Sequence, residues 1–225
     1  MLNKIKNKLI VSCQALDHEP LHSDFIMSKM ALAALQGGAA GIRANSVIDI
    51  KAIKKEVDLP VIGIIKRDYP DSKVFITATT KEIDELATSN CDMIALDATS
   101  RVRPNGQSLA EIVQYAKKTY PQILLMADVA TVEDVRVANQ LGFDCISSTL
   151  IGYTEESKND SVAADDFAIL RKMLAESQLP LIAEGNIDTP EKAKRVLSLG
   201  VHSVVVGGAI TRPQLITEKF VNAIE

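Results

Sequence analysis

Eight times along the chain a short apolar run is followed by a polar residue, a loop and an amphipathic stretch, and this repetition limits the fold more than any other feature. The runs are Leu9–Cys13, Ala39–Ile42, Val61–Ile65, Met93–Leu96, Ile123–Ala127, Asp144–Ser147, Leu181–Ala183 and Ser203–Val206. Their shortness and β-branched content mark strands rather than buried helices. Between them lie helical stretches with recognisable ends. Thr79-Thr80-Lys81-Glu82 and Ser108-Leu109-Ala110-Glu111 match the capping box, and Thr189-Pro190 sets a cap before a proline at the first helical position. Gly142 and Gly200 stand where helices terminate. Strand and helix in strict alternation predict parallel strands joined by right-handed crossovers. Runs apolar on both faces suit strands covered by helices outside and filled by side chains inside. A doubly wound open sheet shares this local grammar. Eight units within 225 residues favour the closed alternative, an α/β chain forming one (β/α)8 TIM-barrel domain over residues 1–225.

Composition narrows the partners. Charged residues make up 24% of the chain, the formal net charge is −4, and no basic tract stands out. Nucleic acid and anionic membrane are therefore poor partners. Residues 1–16 scatter lysines among apolar residues, unlike a signal peptide, and no apolar stretch reaches membrane-spanning length. Cys13, Cys91 and Cys145 are odd in number and lie in or beside apolar runs, which predicts buried thiols in a reduced compartment, the cytoplasm. His18, His22 and His202 lack zinc-ligand spacing. Oligomeric state is left open, a homodimer included.

Active sites of such barrels collect at the C-terminal ends of the strands. The first polar residues after the runs are Gln14, Arg43, Lys66, Asp97, Asp128, Ser148 and Glu184, then the pair Gly207-Gly208. Strands often end in polar residues simply because the chain is leaving the core. What argues for a site is the collection, two cations and three carboxylates at corresponding positions with no aliphatic residue among them. Lys66 follows Val61–Ile65 directly, which puts its ammonium at the rim beside apolar walls. Desolvation and a neighbouring Arg43 or Arg67 lower its pKa, and a lysine brought to roughly 7–8 can exchange protons at neutral pH. The plainer alternative is a solvated loop lysine paired with Asp68. Glu184, after Leu181–Ala183, is a carboxylate at a mostly apolar rim, raised towards neutrality and suited to the opposite acid or base role. Its plainer alternative is a structural partner for a nearby Arg or Lys.

Glycines suggest the ligand. Gly185-Asn186 follow the seventh run, and Gly207-Gly208-Ala209-Ile210-Thr211-Arg212 follow the eighth. Barrels often bind phosphate in these two loops, where backbone N–H groups approach closely and a short helix begins. Arg212 can add a bidentate contact. A simple tight turn remains the competing reading.

Taken together these residues resemble the bacterial N-acetylmannosamine-6-phosphate 2-epimerase family, from Ile10 to Arg212. The resemblance is carried by Ile10-Val11-Ser12-Cys13-Gln14, Ala40-Gly41-Ile42-Arg43, Gly63-Ile64-Ile65-Lys66-Arg67-Asp68, Ser148-Thr149-Leu150-Ile151-Gly152-Tyr153-Thr154, Ile182-Ala183-Glu184-Gly185 and Gly207-Gly208-Ala209-Ile210-Thr211-Arg212. It implies a phosphosugar substrate and interconversion of N-acetylmannosamine 6-phosphate and N-acetylglucosamine 6-phosphate by proton transfer at C2, a step of sialic acid and amino sugar catabolism. It implies Lys66 as the main acid/base and Glu184 as the second group. Gln14, Arg43, Asp128, Tyr153 and Thr154 are then expected to orient the sugar, and Gly185, Asn186, Gly207, Gly208 and Arg212 to hold phosphate. Proton transfer by side chains needs neither a metal nor a nicotinamide, so no cofactor is expected. Two departures stand out: Ile151 replaces a small polar residue, and Asn45-Ser46 follow Arg43 where glycine is expected nearby.

Other classes make different demands. A rim lysine can form a Schiff base, as in a class I aldolase for a phosphorylated keto-acid. A metal-dependent pentose-phosphate epimerase needs His and Asp ligands at strand ends, and the three histidines lie elsewhere. A non-catalytic phosphosugar-binding module has use for the glycine loops but none for Lys66 and Glu184 facing each other.

Overall fold

Successive side chains of a strand point to opposite faces, so period-two alternation decides which residues reach the centre of a barrel. The computed structural model describes the whole chain, Met1–Glu225. Its strands are β1 (Leu9–Cys13), β2 (Gly41–Asn45), β3 (Val61–Ile64), β4 (Met93–Asp97), β5 (Leu124–Asp128), β6 (Cys145–Ser147), β7 (Leu181–Ala183) and β8 (Ser203–Val206). They close in sequence order into an eight-stranded barrel. Every neighbouring pair is parallel, and Leu9 of β1 lies opposite Val204 of β8 at the seam. The closed (β/α)8 barrel is thus the fold, and the open doubly wound sheet is excluded.

Ten helices accompany the strands. A short α1 (Leu2–Ile5) precedes β1, and α2 (Asp24–Gln36), α3 (Val47–Glu56), α4 (Thr80–Ala87), α5 (Leu109–Thr119), α6 (Val132–Leu141), α7 (Ala168–Glu176) and α8 (Pro190–Ser198) each follow a strand in turn. After β8 come a four-residue α9 (Gly208–Thr211) and α10 (Pro213–Ile224). The capping boxes at Thr79 and Ser108 and the Thr189 cap form as their sequences predict. A third box, Thr131 with Asp134, escapes the sequence pattern because its reciprocal acceptor is Asp rather than Glu or Gln. No helix is long and apolar enough to cross a membrane.

Alternation sorts the core into two clusters. Val11, Ile42, Ala44, Val61, Ile94, Leu96, Leu125, Ile146 and Val204 pack against the helices. Ile10, Ile62, Ile64, Met93, Ala95, Met126, Cys145, Ile182 and Val205 meet one another inside the barrel. The inner set also takes in Ile5 of α1, which closes the N-terminal end while His202 Nε2 lies 3.0 Å from the Leu2 carbonyl. All three cysteines are free and buried. Continued past the inner apolar layer, the same alternation brings Gln14, Arg43, Lys66, Asp97, Asp128, Thr149, Glu184 and Gly207 to the C-terminal mouth. The fold thereby presents a ring of polar groups over an apolar floor.

Three strands extend beyond their apolar runs. The second run ends at Ile42, yet β2 continues to Asn45; β4 and β5 include Asp97 and Asp128, which pair in register. In each case the extra charged residue is buried, and an oppositely charged partner holds it there. Hydropathy cannot foresee such partners, so it ends the strand early.

Gly63 of β3 sits where the sheet meets its helices. A Cβ there would lie 2.9 Å from Ile50 Cδ1, 3.1 Å from Leu86 Cδ2 and 3.2 Å from Cys91 Cβ. Overfilling a close-packed core costs about 1–3 kcal/mol. We expect Gly63→Ala to lose that much stability in urea unfolding; an unchanged midpoint would show that this layer is loosely packed.

Candidate active site

Arg43 is a fully buried cation at the mouth, with its side chain only 1% exposed. Its position in β2 turns it inward between Ile42 and Ala44, and it reaches Asp128 on β5 through two parallel bonds. Nη1 donates to Oδ1 at 3.0 Å and Nη2 to Oδ2 at 2.6 Å. Nη1 also pairs with Glu184 Oε2 at 3.1 Å. Thr149 Oγ1 lies 2.8 Å from Asp128 Oδ1 and 3.1 Å from Glu184 Oε2, joining the two carboxylates. Burial opposes the charge on Arg43, but Asp128 and Glu184 more than offset it, so the guanidinium is held ionised. Only its Nε is left buried without a partner.

Glu184 stands just past β7. Ser148 Oγ donates to its carbonyl at 2.8 Å and accepts from its N–H at 3.0 Å, pinning the end of β7 to that of β6. Burial first, and then Asp128, raises the Glu184 carboxyl above its ordinary value, against the pull of Arg43, Thr149 and Lys66.

Lys66 begins the loop after β3. Its N–H donates to Asn45 Oδ1 at 2.8 Å, which continues the β2–β3 alignment by a side chain once the ladder has ended. The loop then folds back, with an antiparallel bridge from Lys66 to Ile76 and a bond from Arg67 N–H to the Phe75 carbonyl at 2.9 Å. Phe75 and Ile76 thereby become an apolar wall beside the amine. Arg67 turns away to Glu82 and Glu85 on α4, so it is Arg43 that neighbours the amine. The Lys66 amine is brought down to about 8, by burial first and then by the charges of Arg43 and Arg212, while Glu184 and Glu19 oppose the shift.

These groups surround a pocket of about 360 Å³, lined among others by Ser12, Gln14, Arg43, Lys66, Phe75, Thr149, Tyr153 and Glu184. Gly185, Asn186, Gly207, Gly208 and Arg212 line the same pocket. Gln14 Nε2 donates to Ser12 Oγ at 2.8 Å. At Gly185 φ is +106°, and a Cβ would lie 3.0 Å from Val162, so the turn requires glycine on two counts. Asn186 follows at φ 53°. The N–H groups of Gly185, Asn186 and Gly207 make no hydrogen bond within the protein, and that of Gly208 opens a helix and has no intrahelical acceptor. With only four residues, α9 contributes donors rather than a substantial dipole.

Of the twelve residues expected from the sequence to act on the sugar or hold its phosphate, the structure brings ten together around the pocket and sets two apart. Asp128 does not line the pocket, because Arg43 takes both its oxygens. Thr154 is buried in its own loop, 3.0 Å from Ser157 Oγ, and faces a neighbouring groove. Tyr153 borders both cavities and is 66% exposed. Asp97 is occupied by Thr99, Arg101 and Arg103 and lies outside the lining. Thr149 and Ser12 were not among the sequence candidates. Period-two counting from Cys145 and Ile10 would have found both, whereas choosing the first polar residue after the sixth run selects Ser148. No three His, Cys, Asp or Glu side chains gather in a metal-binding arrangement.

Lys66 after β3 and Glu184 after β7 stand four strands apart, on opposite sides of an eight-stranded mouth, with glycine loops beside them. That arrangement defines a (β/α)8-barrel enzyme with its titratable groups at the strand ends. Comparison with known proteins gives the family. Residues 27–225 match the family described as "Putative N-acetylmannosamine-6-phosphate epimerase". A "Putative N-acetylmannosamine-6-phosphate 2-epimerase" of Enterobacter sp. (strain 638) is 63% identical, covering 100% of this chain and 96% of its own. One of the same description from Oceanobacillus iheyensis is 62% identical over 98% of this chain and 100% of its own. The solved N-acetylmannosamine-6-phosphate 2-epimerase of Clostridium perfringens superposes with a TM-score of 0.94 at 52% identity, covering 99% and 96% of the two chains. The chain belongs to the N-acetylmannosamine-6-phosphate 2-epimerase family.

The Arg43–Asp128 pair makes a stability prediction. Removing one partner of a buried pair costs about 3–5 kcal/mol, because the other charge is left uncompensated. Arg43→Ala should lose that much in urea unfolding, and the double variant Arg43→Met/Asp128→Leu should recover most of it. Equal loss in both would assign the stability to packing rather than charge.

Proposed function

We propose that this protein interconverts N-acetylmannosamine 6-phosphate and N-acetylglucosamine 6-phosphate by moving a proton at C2, a step of amino sugar catabolism in the cytoplasm. The observation that carries the reading is a lysine with a lowered pKa facing a carboxyl with a raised one across a single pocket. The two sugars differ only in configuration at C2. In the ring-opened form that carbon adjoins an aldehyde, and loss of its proton gives an enediolate. Inversion needs the proton to leave one face and arrive at the other. Groups whose environments draw their pKa values towards each other suit such an exchange.

In this reading Lys66 takes the proton from C2 and Glu184 supplies one from the opposite side, with the roles reversed in the other direction. Thr149 lets Glu184 hold either state. Its hydroxyl can donate to the ionised carboxylate, or accept from the protonated acid while donating to Asp128. Arg43 and Gln14 are the donors for the developing oxyanion, and one such donor is worth about 3–4 kcal/mol. Asp128 acts through Arg43 rather than on the sugar. The unspent N–H groups of Gly185, Asn186, Gly207 and Gly208, together with Arg212, form the phosphate end. Tyr153 borders the sugar at the rim, and Thr154 supports the loop that carries it.

Two measurements test this. In deuterated water the enzyme should place solvent deuterium at C2 during interconversion, followed by NMR. Lys66→Ala should lower turnover and exchange about 10²–10⁴-fold, and retained activity in a folded variant would remove Lys66 from the role.

The pH profile tests the pairing. The forward form, neutral Lys66 with protonated Glu184, and the reverse form, charged Lys66 with ionised Glu184, hold the same number of protons. In both directions kcat/KM should therefore be bell-shaped. It should fall above about pH 8, where the pair loses its shared proton, and on the acid side at a pH above the ordinary carboxylate range. A rate that instead rises through pH 8 to a plateau would mean that one neutral lysine serves both faces.

A further inference from the structure

Arg212 stands at the joint between α9 and α10 and already has a partner. Its Nε lies 2.6 Å from Glu19 Oε1 and its Nη2 lies 3.0 Å from Glu19 Oε2, a two-point contact across the barrel seam from the loop between β1 and α2. Glu19 is itself fixed. Its Oε2 accepts the Leu16 N–H at 2.7 Å, its Oε1 accepts Gln214 Nε2 at 3.0 Å, and its own N–H donates to the Leu16 carbonyl at 2.8 Å. Its side chain is only 12% exposed. Each carboxylate oxygen therefore accepts two donors, and the local charge is well compensated. The remaining terminal nitrogen of Arg212, Nη1, lies 3.9 Å from where a Cβ on Gly208 would be, and no protein group bonds it.

A guanidinium offers its donors along separate edges of a rigid plane. One edge of Arg212 is taken by Glu19, which leaves the edge carrying Nη1 beside the second glycine loop. We propose that Glu19 is a positioning residue of the phosphate site: it grips Arg212 along one edge and so aims the other at a phosphate monoester held by the glycine loops. The proposal rests on the phosphate reading given above. It has an opposite that chemistry makes equally definite. A carboxylate can compete with phosphate for an arginine, and a competitor's removal would tighten anion binding. The four-donor anchorage of Glu19 argues against competition, since releasing Arg212 to phosphate alone would strip the carboxylate of two of its bonds in a poorly solvated place.

The experiment measures inorganic phosphate binding to the whole protein by titration calorimetry at constant ionic strength. The proteins compared are the wild type, Glu19→Ala, Glu19→Gln, Arg212→Met and the double variant Glu19→Ala/Arg212→Met. Glu19→Ala should weaken phosphate binding about 5–20-fold, a size typical of coupled neighbours. Glu19→Gln, which keeps one acceptor oxygen, should lose less, and it carries the test if the alanine variant does not fold. With Arg212 already replaced, removing Glu19 should cost less than about twofold, because its effect runs through that arginine. A merely structural role for Glu19 gives the same loss in both backgrounds, and that result overturns the proposal, as does unchanged or tighter binding in Glu19→Ala. If Arg212→Met itself binds phosphate as well as the wild type, the phosphate assignment falls, and the role of Glu19 falls with it.

Discussion

A guanidinium buried inside the barrel mouth, neutralised by two carboxylates, is the constraint on which the rest of the site depends. Arg43 can occupy β2 because Asp128 meets it with both oxygens and Glu184 adds a second negative partner. That one cluster extends β2 and β5 past their apolar runs and ties strands from opposite sides of the barrel together. It also sets the field felt by the remaining groups. The positive charge pulls the Glu184 carboxyl down while burial pushes it up, and burial prevails. On Lys66 the same charge adds to desolvation, so both effects lower the amine. Arg43 thus helps bring the amine down, whereas the Glu184 carboxyl is raised by burial and by Asp128 against the pull of the same arginine.

The pocket divides its work by strand. One side, from β2 to β3, offers cations and an apolar wall made by the folded-back loop of Phe75 and Ile76. The opposite side, around β6 and β7, offers Thr149 and Glu184, clipped in place by Ser148. The glycine loops after β7 and β8 supply N–H donors with no competing acceptor. Phosphate binding at that end in the proposed chemistry would fix the distance from the anchored group to the carbon between Lys66 and Glu184. Glu19, brought by the β1–α2 loop across the seam, ties the first unit to the last through its contact with Arg212.

Much of this was legible in the sequence, and its failures have physical causes. The eight-unit repeat determines the barrel because alternation of apolar runs with capped helices is a local property. Lys66, Glu184, Arg43 and the glycine loops were legible because polar residues at strand ends must converge once the barrel closes. The pairing that holds Asp128 behind Arg43 and outside the pocket lining is not legible, since a bidentate pair 85 residues apart in sequence leaves no local trace. Hydropathy points to Ser148 rather than Thr149, one residue away, because it marks where a run stops and not which face the next side chain takes. Glu19 gave no signal, lying in a polar turn whose only distinction is the arginine it meets 193 residues later.

The central claim, that a buried arginine and partial desolvation leave Lys66 titrating near neutrality, can be measured on the amine itself. Nitrogen-15 NMR of the lysine side chains, with the Lys66 signal assigned by its loss in Lys66→Arg, should show that amine titrating at about pH 8, well below the ordinary lysine value of about 10.4. An amine at position 66 that titrates at the ordinary lysine value would contradict the account.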